Sequence, residues 1–307
     1  MRVLLVCGFK EKLAENAAPF VVEQRNALQR CGVECEMFLV KGKGIRGYLR
    51  QLRPLKDRIT AFQPDVIHAH YGLCSLLANL QRKVPVVTTY HGSDINEKRT
   101  RRFSKMAMRL SAWNVFVSQK TMDIACPGKN VTLLPCGVDL TELQLTSKQE
   151  ARRQMHLEQG KRYVLFAGAF DNEVKNAPLA MKVAELSSVE LLELKGYTRN
   201  EETLLMCAAD ALLMTSLNEG SPQVIKEAMA CGCPIVSVDV GDVKERVDGV
   251  EGCFVAQTRE INELTDLLGK ALAFQGRTRG RERIIDDGLE NEIVVNKLIN
   301  IYNFILK

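Results

Sequence analysis

The run Thr215-Ser216-Leu217-Asn218-Glu219-Gly220-Ser221-Pro222-Gln223-Val224-Ile225-Lys226-Glu227-Ala228-Met229-Ala230-Cys231-Gly232-Cys233-Pro234 reads as one strand–turn–helix–strand step. Apolar residues 211–215 make the strand, and Glu219-Gly220-Ser221-Pro222 makes the turn. Residues 224–230 carry helical spacing, Gly232 ends it, and residues 234–239 begin the next strand. The first turn of such a helix offers free backbone N–H groups and the positive end of the helix dipole, a place for phosphate. Gly220 lets backbone come close to a ligand. Glu219 stands at the strand end, and Glu227 lies about two turns into the helix. Two carboxylates so placed can hold several hydroxyls by charge-assisted hydrogen bonds. An isolated pair of this kind is more often a helix cap plus a solvated side chain; the whole run reverses that weighting.

The same alternation extends in both directions. Upstream lie strands at residues 163–168, 189–195 and 211–215, with helices at 178–186 and 203–208. A separate series opens the chain. It has strands at 3–7, 33–40, 66–70, 84–89, 115–118 and 131–134, with a helix at 20–28 ending near Gly32. Repeated strand–helix alternation means parallel sheets with helices on both faces. Residues 140–160 are polar, helix-prone and poor in β-branched residues, and read as the connection between two domains. The expected division is a first domain over 1–145 and a second over 146–291, with a helix at about 292–307 packing back on the first. Ligands of such folds bind at the carboxyl ends of the strands, here in a cleft that both domains face.

A chain of 307 residues is long enough for two domains. Hydrophobic residues at 46% and charged residues at 26% are ordinary for a globular protein, and no apolar run reaches the length of a spanning helix. The opening Met1-Arg2-Val3-Leu4-Leu5-Val6-Cys7-Gly8 is too short for a signal peptide and reads as a buried first strand. Ten cysteines, scattered and mostly in apolar runs, fit reduced thiols in a cytoplasm. Cys231 and Cys233 have neither zinc nor disulfide spacing. The net charge of +5 divides unevenly: residues 1–145 hold 22 Lys and Arg against 12 Asp and Glu, and the remainder 20 against 25. The halves are therefore expected to meet different partners. No nucleic-acid motif is present, and aromatic residues are only 6%.

The run from Glu219 to Val236 resembles the family-4 retaining glycosyltransferases. Their second domain carries Glu-Gly-(Phe/Ser)-Pro, a Glu eight after the first, and then Ala-Met-Ala-Cys-Gly-x-Pro. The resemblance implies a GT-B fold, in which two doubly wound Rossmann-like domains face a cleft. It also implies sugar transfer from a nucleotide-sugar donor with retention at the anomeric carbon, as in cell-surface polysaccharide or glycolipid synthesis. By it, Glu219 contacts donor sugar hydroxyls, Glu227 the ribose, and the donor-binding turn Gly220, Ser221, Pro222 and Gln223 helps seat donor sugar and phosphate through the N–H groups around it. Phe166-Ala167-Gly168-Ala169-Phe170-Asp171-Asn172-Glu173-Val174-Lys175 matches a diphosphate loop of the family at Gly168 and Lys175. The family has an Arg where this chain has Ala169, leaving one loop cation for the diphosphate.

In the first half, Asp65-Val66-Ile67-His68-Ala69-His70 and Thr88-Thr89-Tyr90-His91-Gly92-Ser93-Asp94 are similar to the family. The resemblance makes His91 a catalytic-site group, with Lys175 and Glu219, and places Gly92, Ser93, Asp94 and Ser118 on the acceptor side. His68 and His70 read as pointing to opposite sides of their strand, poor partners for one metal. Cys136 stands where the family's inter-domain motif has Asn, and Ala17-Ala18-Pro19-Phe20 replaces its glycine-rich loop. No Asp-x-Asp donor-metal signature occurs, and Lys175 with the helix N-terminus can balance diphosphate charge, so neither a metal nor another cofactor is expected.

Lys41, Lys43, Arg46, Arg50, Arg53, Lys56 and Arg58 alternate with Ile45, Leu49, Leu52 and Ile59, and Lys98, Arg99, Arg101 and Arg102 add charge. A basic amphipathic stretch suits an anionic membrane surface or an acidic acceptor, and equally a helix packed on the core. The expected partners are a nucleotide sugar and a saccharide or lipid-linked acceptor, with peripheral contact at the inner face of a membrane. A catalytically weak sugar-nucleotide-binding partner of another transferase, or a nucleotide-sugar epimerase, remains an alternative in the same fold.

Overall fold

A computed structural model describes residues 1–11, 14–42 and 44–307; Lys43 of the basic stretch lies outside them. The chain forms two compact units: Met1–Gly137 with Asn291–Lys307, and Val138–Glu290.

The first unit holds a parallel sheet of β1 (Arg2–Gly8), β2 (Glu34–Val40), β3 (Val66–His70), β4 (Val86–Tyr90), β5 (Trp113–Phe116) and β6 (Val131–Leu133). Its order is β2-β1-β3-β4-β5-β6. Val3 pairs with Cys35 on one side and Val66 on the other. The interior strands are buried on both faces, which is why they read as continuous apolar runs. The helix Pro19–Arg30 begins on Pro19, whose missing N–H costs nothing at a first helical position. It stops at Gly32, whose φ of +80° suits glycine. The closing helix Asn291–Ile305 buries Val294, Val295, Leu298, Ile301 and Tyr302 against Val3, Leu5 and Val21.

The second unit holds β7 (Tyr163–Phe166), β8 (Glu190–Glu193), β9 (Ala211–Met214), β10 (Ile235–Val238) and β11 (Cys253–Ala256). All are parallel, in the order β11-β10-β9-β7-β8. The strand β11 is absent from the sequence reading above; it is short and set between Gly252 and a polar turn.

Two expectations change. Residues 140–160 are no free connection: the helix Lys148–Gln154 buries Ala151 and Arg152, and Arg152 Nη2 lies 2.8 Å from Asp210 Oδ2. Its exposed face is charged, which hid the buried one. Val138 bridges to Glu290, so the second unit already begins there. The strand expected at 115–118 runs instead from Trp113 to Phe116, because Ser118 caps the next helix, Gln119–Ala125.

In each sheet the chain order reverses once, between β1 and β3 and between β7 and β9. Strand carboxyl ends at such reversals leave a crevice between diverging loops.

Candidate functional site

In the second unit, the loops after β7 and β9 meet at the reversal. Asn172 caps a single 3-10 turn, Glu173–Lys175, by accepting from Val174 N–H. Thr215 Oγ1 donates to the carbonyls of Lys175 and Asn176, each at 3.0 Å, and Leu217 N–H donates to Val174 O. These bonds bring Lys175 Nζ to 2.7 Å from Glu219 Oε1, with side chains 21% and 16% exposed. The Lys175 side chain lies across Gly168, where a Cβ would stand 2.8 Å from Lys175 Cγ. Lys175 is therefore held in the site and not solvated.

The helix Gln223–Ala230 starts after Pro222, which gives it no side-chain cap, and Glu219 lies just ahead of that first turn. Glu227 falls little more than one turn into that helix, nearer its start than the sequence suggested. It is buried, and its Oε1 lies 2.7 Å from Arg199 Nη2. Arg199 opens the helix Arg199–Ala208, fixed by a Thr198–Glu201 capping box. Ser221 Oγ donates to Asp242 Oδ2 at 2.8 Å. Gly241, at φ +56°, passes so close to Gly220 that a Cβ would lie 2.5 Å from the Gly220 carbonyl oxygen. Burial raises the Asp242 carboxyl above its ordinary range, opposed by Lys226, by Ser221 and by Arg246. Gly168, Lys175, Glu219, Gly220, Ser221, Pro222, Gln223 and Glu227 thus belong to one loop cluster. Arg199 and Asp242 were missed; the pattern around each looked like an ordinary helix start and an ordinary loop.

In the first unit, His91 follows β4. The Asp94 carboxylate accepts from the N–H groups of His91, Gly92 and Gly72 at 3.0–3.1 Å, fixing the turn; Gly92 takes φ +114°. Burial still raises Asp94 to about 6, against those backbone bonds. The His91 ring sits between Phe20 and Tyr71, centroids 4.6 Å from each. Its Nε2 lies 3.0 Å from His70 Nδ1, and its Nδ1 lies 3.9 Å from Cys136 Sγ. The Phe20 contact comes from the segment that replaces the glycine-rich loop.

His68 and His70 do not point to opposite sides. Side chains two apart on a strand share a face, and these rings stack at 4.7 Å with 14° between their planes. His68 is tied to Tyr302, Gln24 and Thr89. Burial holds His68 well below the usual histidine range and His70 down to about 3, so both are neutral. Beside them a cavity of about 260 Å³ opens at the β1–β3 reversal, lined by Gly8, Lys10, Tyr48, Tyr71, Ser93 and Asp94 among others. Ser118 is buried, and its hydroxyl accepts from Thr121 N–H as a cap, apart from the cavity lining. Among the described residues no cluster of three His, Cys, Asp or Glu is arranged to hold a metal ion.

Residues 3–142 match the family model described as Glycosyltransferase Family 4, and residues 149–273 that described as Glycosyl transferases group 1. The chain is 27% identical over 223 residues to a putative teichuronic acid biosynthesis glycosyltransferase, TuaC, of Bacillus subtilis. That match covers 62% of this chain and 57% of the relative, so the chain spans little more than half of the relative's length. In structure it is similar to sucrose-phosphate synthase of Thermosynechococcus elongatus, with TM-score 0.83, 17% identity and 98% of each chain covered. It is also similar to Anabaena HepE, solved in complex with UDP and glucose, with TM-score 0.72, 18% identity and 98% of each covered. These likenesses and the two parallel sheets bear out the GT-B class expected from the sequence.

Proposed function

The chain belongs to the family 4 and group 1 glycosyltransferases, and on that premise we propose that it moves a sugar from a nucleotide-sugar donor to a saccharide or lipid-linked acceptor. The transfer is retaining and metal-independent, and serves cell-surface polysaccharide or glycolipid synthesis; the teichuronic acid relative supports that setting. The observation that carries the proposal is the charged loop cluster of the second unit, where Lys175 and Glu219 pair next to the N-terminus of the helix Gln223–Ala230. A diphosphate arriving there meets the Lys175 cation and the positive end of the helix dipole, which together offset its charge without a metal. Releasing Lys175 to the diphosphate frees Glu219 to accept from sugar hydroxyls. Glu227, held by Arg199, accepts from ribose hydroxyls. His91, Gly92, Ser93 and Asp94 form the acceptor-side wall. The donor's own phosphate oxygen takes the acceptor proton, so no protein carboxylate serves as nucleophile. Ala169 leaves Lys175 as the one cation of its loop.

The same reading gives the first unit a place at an anionic membrane face, with the chain in the cytoplasm. In the helix Leu52–Phe62, Leu55, Ile59 and Phe62 are buried in the core, and Arg53, Lys56 and Arg58 face outward. With its apolar side already used, this helix can touch a membrane only through charge, at about 1 kcal/mol per basic residue. Sedimentation with anionic vesicles at low and high salt, for wild type and for Arg46, Arg50 and Arg53 changed to Glu, decides this. Equal sedimentation of both proteins removes the patch from any role at a membrane. Among the described residues, no helix is long and apolar enough to cross a membrane.

A thermal-shift screen of nucleotide sugars finds the donor, since a ligand that binds only the folded state raises its melting temperature. Product analysis with that donor then tests the reaction. A glycoside with the donor's anomeric configuration, formed equally in EDTA, supports the proposal. Binding without turnover indicates a sugar-nucleotide-binding partner, and an altered free sugar nucleotide indicates an epimerase; either result overturns it.

A further inference from the structure

The two buried histidines of β3 use their ring nitrogens differently. His68 Nδ1 accepts from the Tyr302 hydroxyl at 2.5 Å and from the Gln24 amide at 3.2 Å. Its one proton therefore sits on Nε2 and is donated to Thr89 Oγ1 at 2.7 Å. His70 has one nitrogen engaged. Its Nδ1 lies 3.0 Å from His91 Nε2, whereas its Nε2 is buried and meets no hydrogen-bond partner among the described residues.

A neutral imidazole carries one N–H, and the bond between the two rings needs one proton. Were that proton on His91, His70 would carry its own on Nε2, an N–H sealed in the core without an acceptor. With the proton on His70 Nδ1, the unmatched group is a bare lone pair. Buried donors left without acceptors are rarer in folded proteins than under-used acceptors, so the second arrangement is favoured. It also gives His91 its proton on Nδ1, the nitrogen that faces Cys136 Sγ at 3.9 Å. Neither ring has room to change partner by turning over. His70 is stacked between His68 and His91, at centroid distances of 4.7 and 5.3 Å, and His91 is flanked by Phe20 and Tyr71.

We propose that His70 is a fixed hydrogen-bond donor that holds His91 as the Nδ1–H tautomer, so that His91 meets its ligand as a donor and not as a base. The tautomer concerns two rings of this chain and stands by itself. The identity of the ligand, a sugar oxygen, rests on the transfer reaction proposed above. On that reading the weak contact to Cys136 Sγ is exchanged for a stronger one to oxygen. The acceptor's proton cannot go to His91, whose Nδ1 already carries one and whose Nε2 is taken by His70. His70 touches no substrate in this account; it is a positioning residue.

The chain holds four histidines, so long-range 15N–1H correlation on the full, histidine-labelled protein can assign each ring. The expected spectrum at neutral pH has His91 protonated on Nδ1 and bare on Nε2, His70 protonated on Nδ1, and His68 protonated on Nε2. A His91 ring protonated on Nε2 overturns the proposal, and this wild-type spectrum decides it even where a variant fails to fold. His70→Phe keeps an aromatic ring and removes the donor, and His91 should lose its single tautomer. His70→Asn places an amide N–H near the lost Nδ1 and should restore it. In the transfer assay, kcat should fall about tenfold in His70→Phe, the scale of one lost hydrogen bond, and recover in His70→Asn with KM little changed. The expected tautomer in a protein that transfers no sugar upholds the ring assignment and sinks the transfer reading. Transfer by a protein whose His91 carries its proton on Nε2 does the reverse.

Discussion

The candidate sites of the two units are built at equivalent places from opposite materials. In the second unit, Lys175 with Glu219 and Arg199 with Glu227 are ion pairs of largely shielded side chains, 21% and 16% exposed in the first pair and 28% and 9% in the second. In the first unit, His68, His70, His91, Phe20, Tyr71 and Tyr302 form a packed set of rings, one bond of which joins residues 234 apart in sequence. A shielded charge is costly to leave bare, so such pairs open only to a ligand that brings a charge or hydroxyl of its own to take the partner's place. Buried rings with matched hydrogen bonds hold their geometry whether or not a ligand is present. The charged cluster is suited to exchanging partners with a diphosphate, and the ring cluster to keeping one direction fixed.

Acid should separate the two units most. His68 and His70 have pKa values in the fold below their unfolded value, so the unfolded chain binds their protons first. Their stabilising effect is complete above about pH 6.5 and is lost as pH falls, by up to about 1.4 kcal/mol per pH unit for each proton. Asp94 works the other way. Its folded value is raised from 3.8 to about 6, so between those values it favours the fold as pH falls and offsets one of the two histidines. In the second unit the lowered carboxylates, such as Glu201 and Glu263, lose their effect only as pH falls below about 4.5. The chain's one tryptophan, Trp113, lies in the first unit. Its fluorescence should change at higher pH than circular dichroism, which follows both units. Coincident transitions would break the contrast.

A smaller effect is expected at His68. His68→Leu strands Tyr302, Gln24 and Thr89 without their shared partner. It should cost about 2–4 kcal/mol of stability by urea unfolding, with nucleotide-sugar affinity unchanged. A loss under 1 kcal/mol would mean that the ring cluster is not a structural tie. Smaller again, Arg199→Ala should weaken nucleotide-sugar binding by about 1 kcal/mol, because Glu227 loses the cation that orients it. Unchanged affinity would leave Arg199 as a surface partner only.

The contrast also explains what the sequence disclosed. The turn and helix from Glu219 to Glu227 are local: strand end, glycine, proline and apolar spacing lie within a few residues, so both sheet class and charged residues could be read directly. The partners of those residues could not, since Arg199 meets Glu227 across a distance in sequence that no local pattern spans. The ring cluster was less legible still. His68 and His70 were expected on opposite faces, although a period of two places them together, and Tyr302 joins them from the far end of the chain. The helical tendency of residues 148–154 is legible, but its buried face is not, because one buried Ala and one buried Arg leave almost no apolar pattern.

The central claim, that the charged cluster of the second unit receives the nucleotide-sugar donor, is tested most directly by calorimetry. The titration uses the nucleotide sugar that raises the melting temperature, with wild type, Lys175→Ala and Glu227→Ala. Each variant should bind more weakly by about 1–3 kcal/mol, the scale of a charged hydrogen bond, while keeping its fold. Wild-type affinity in both folded variants would contradict the account and place the donor elsewhere.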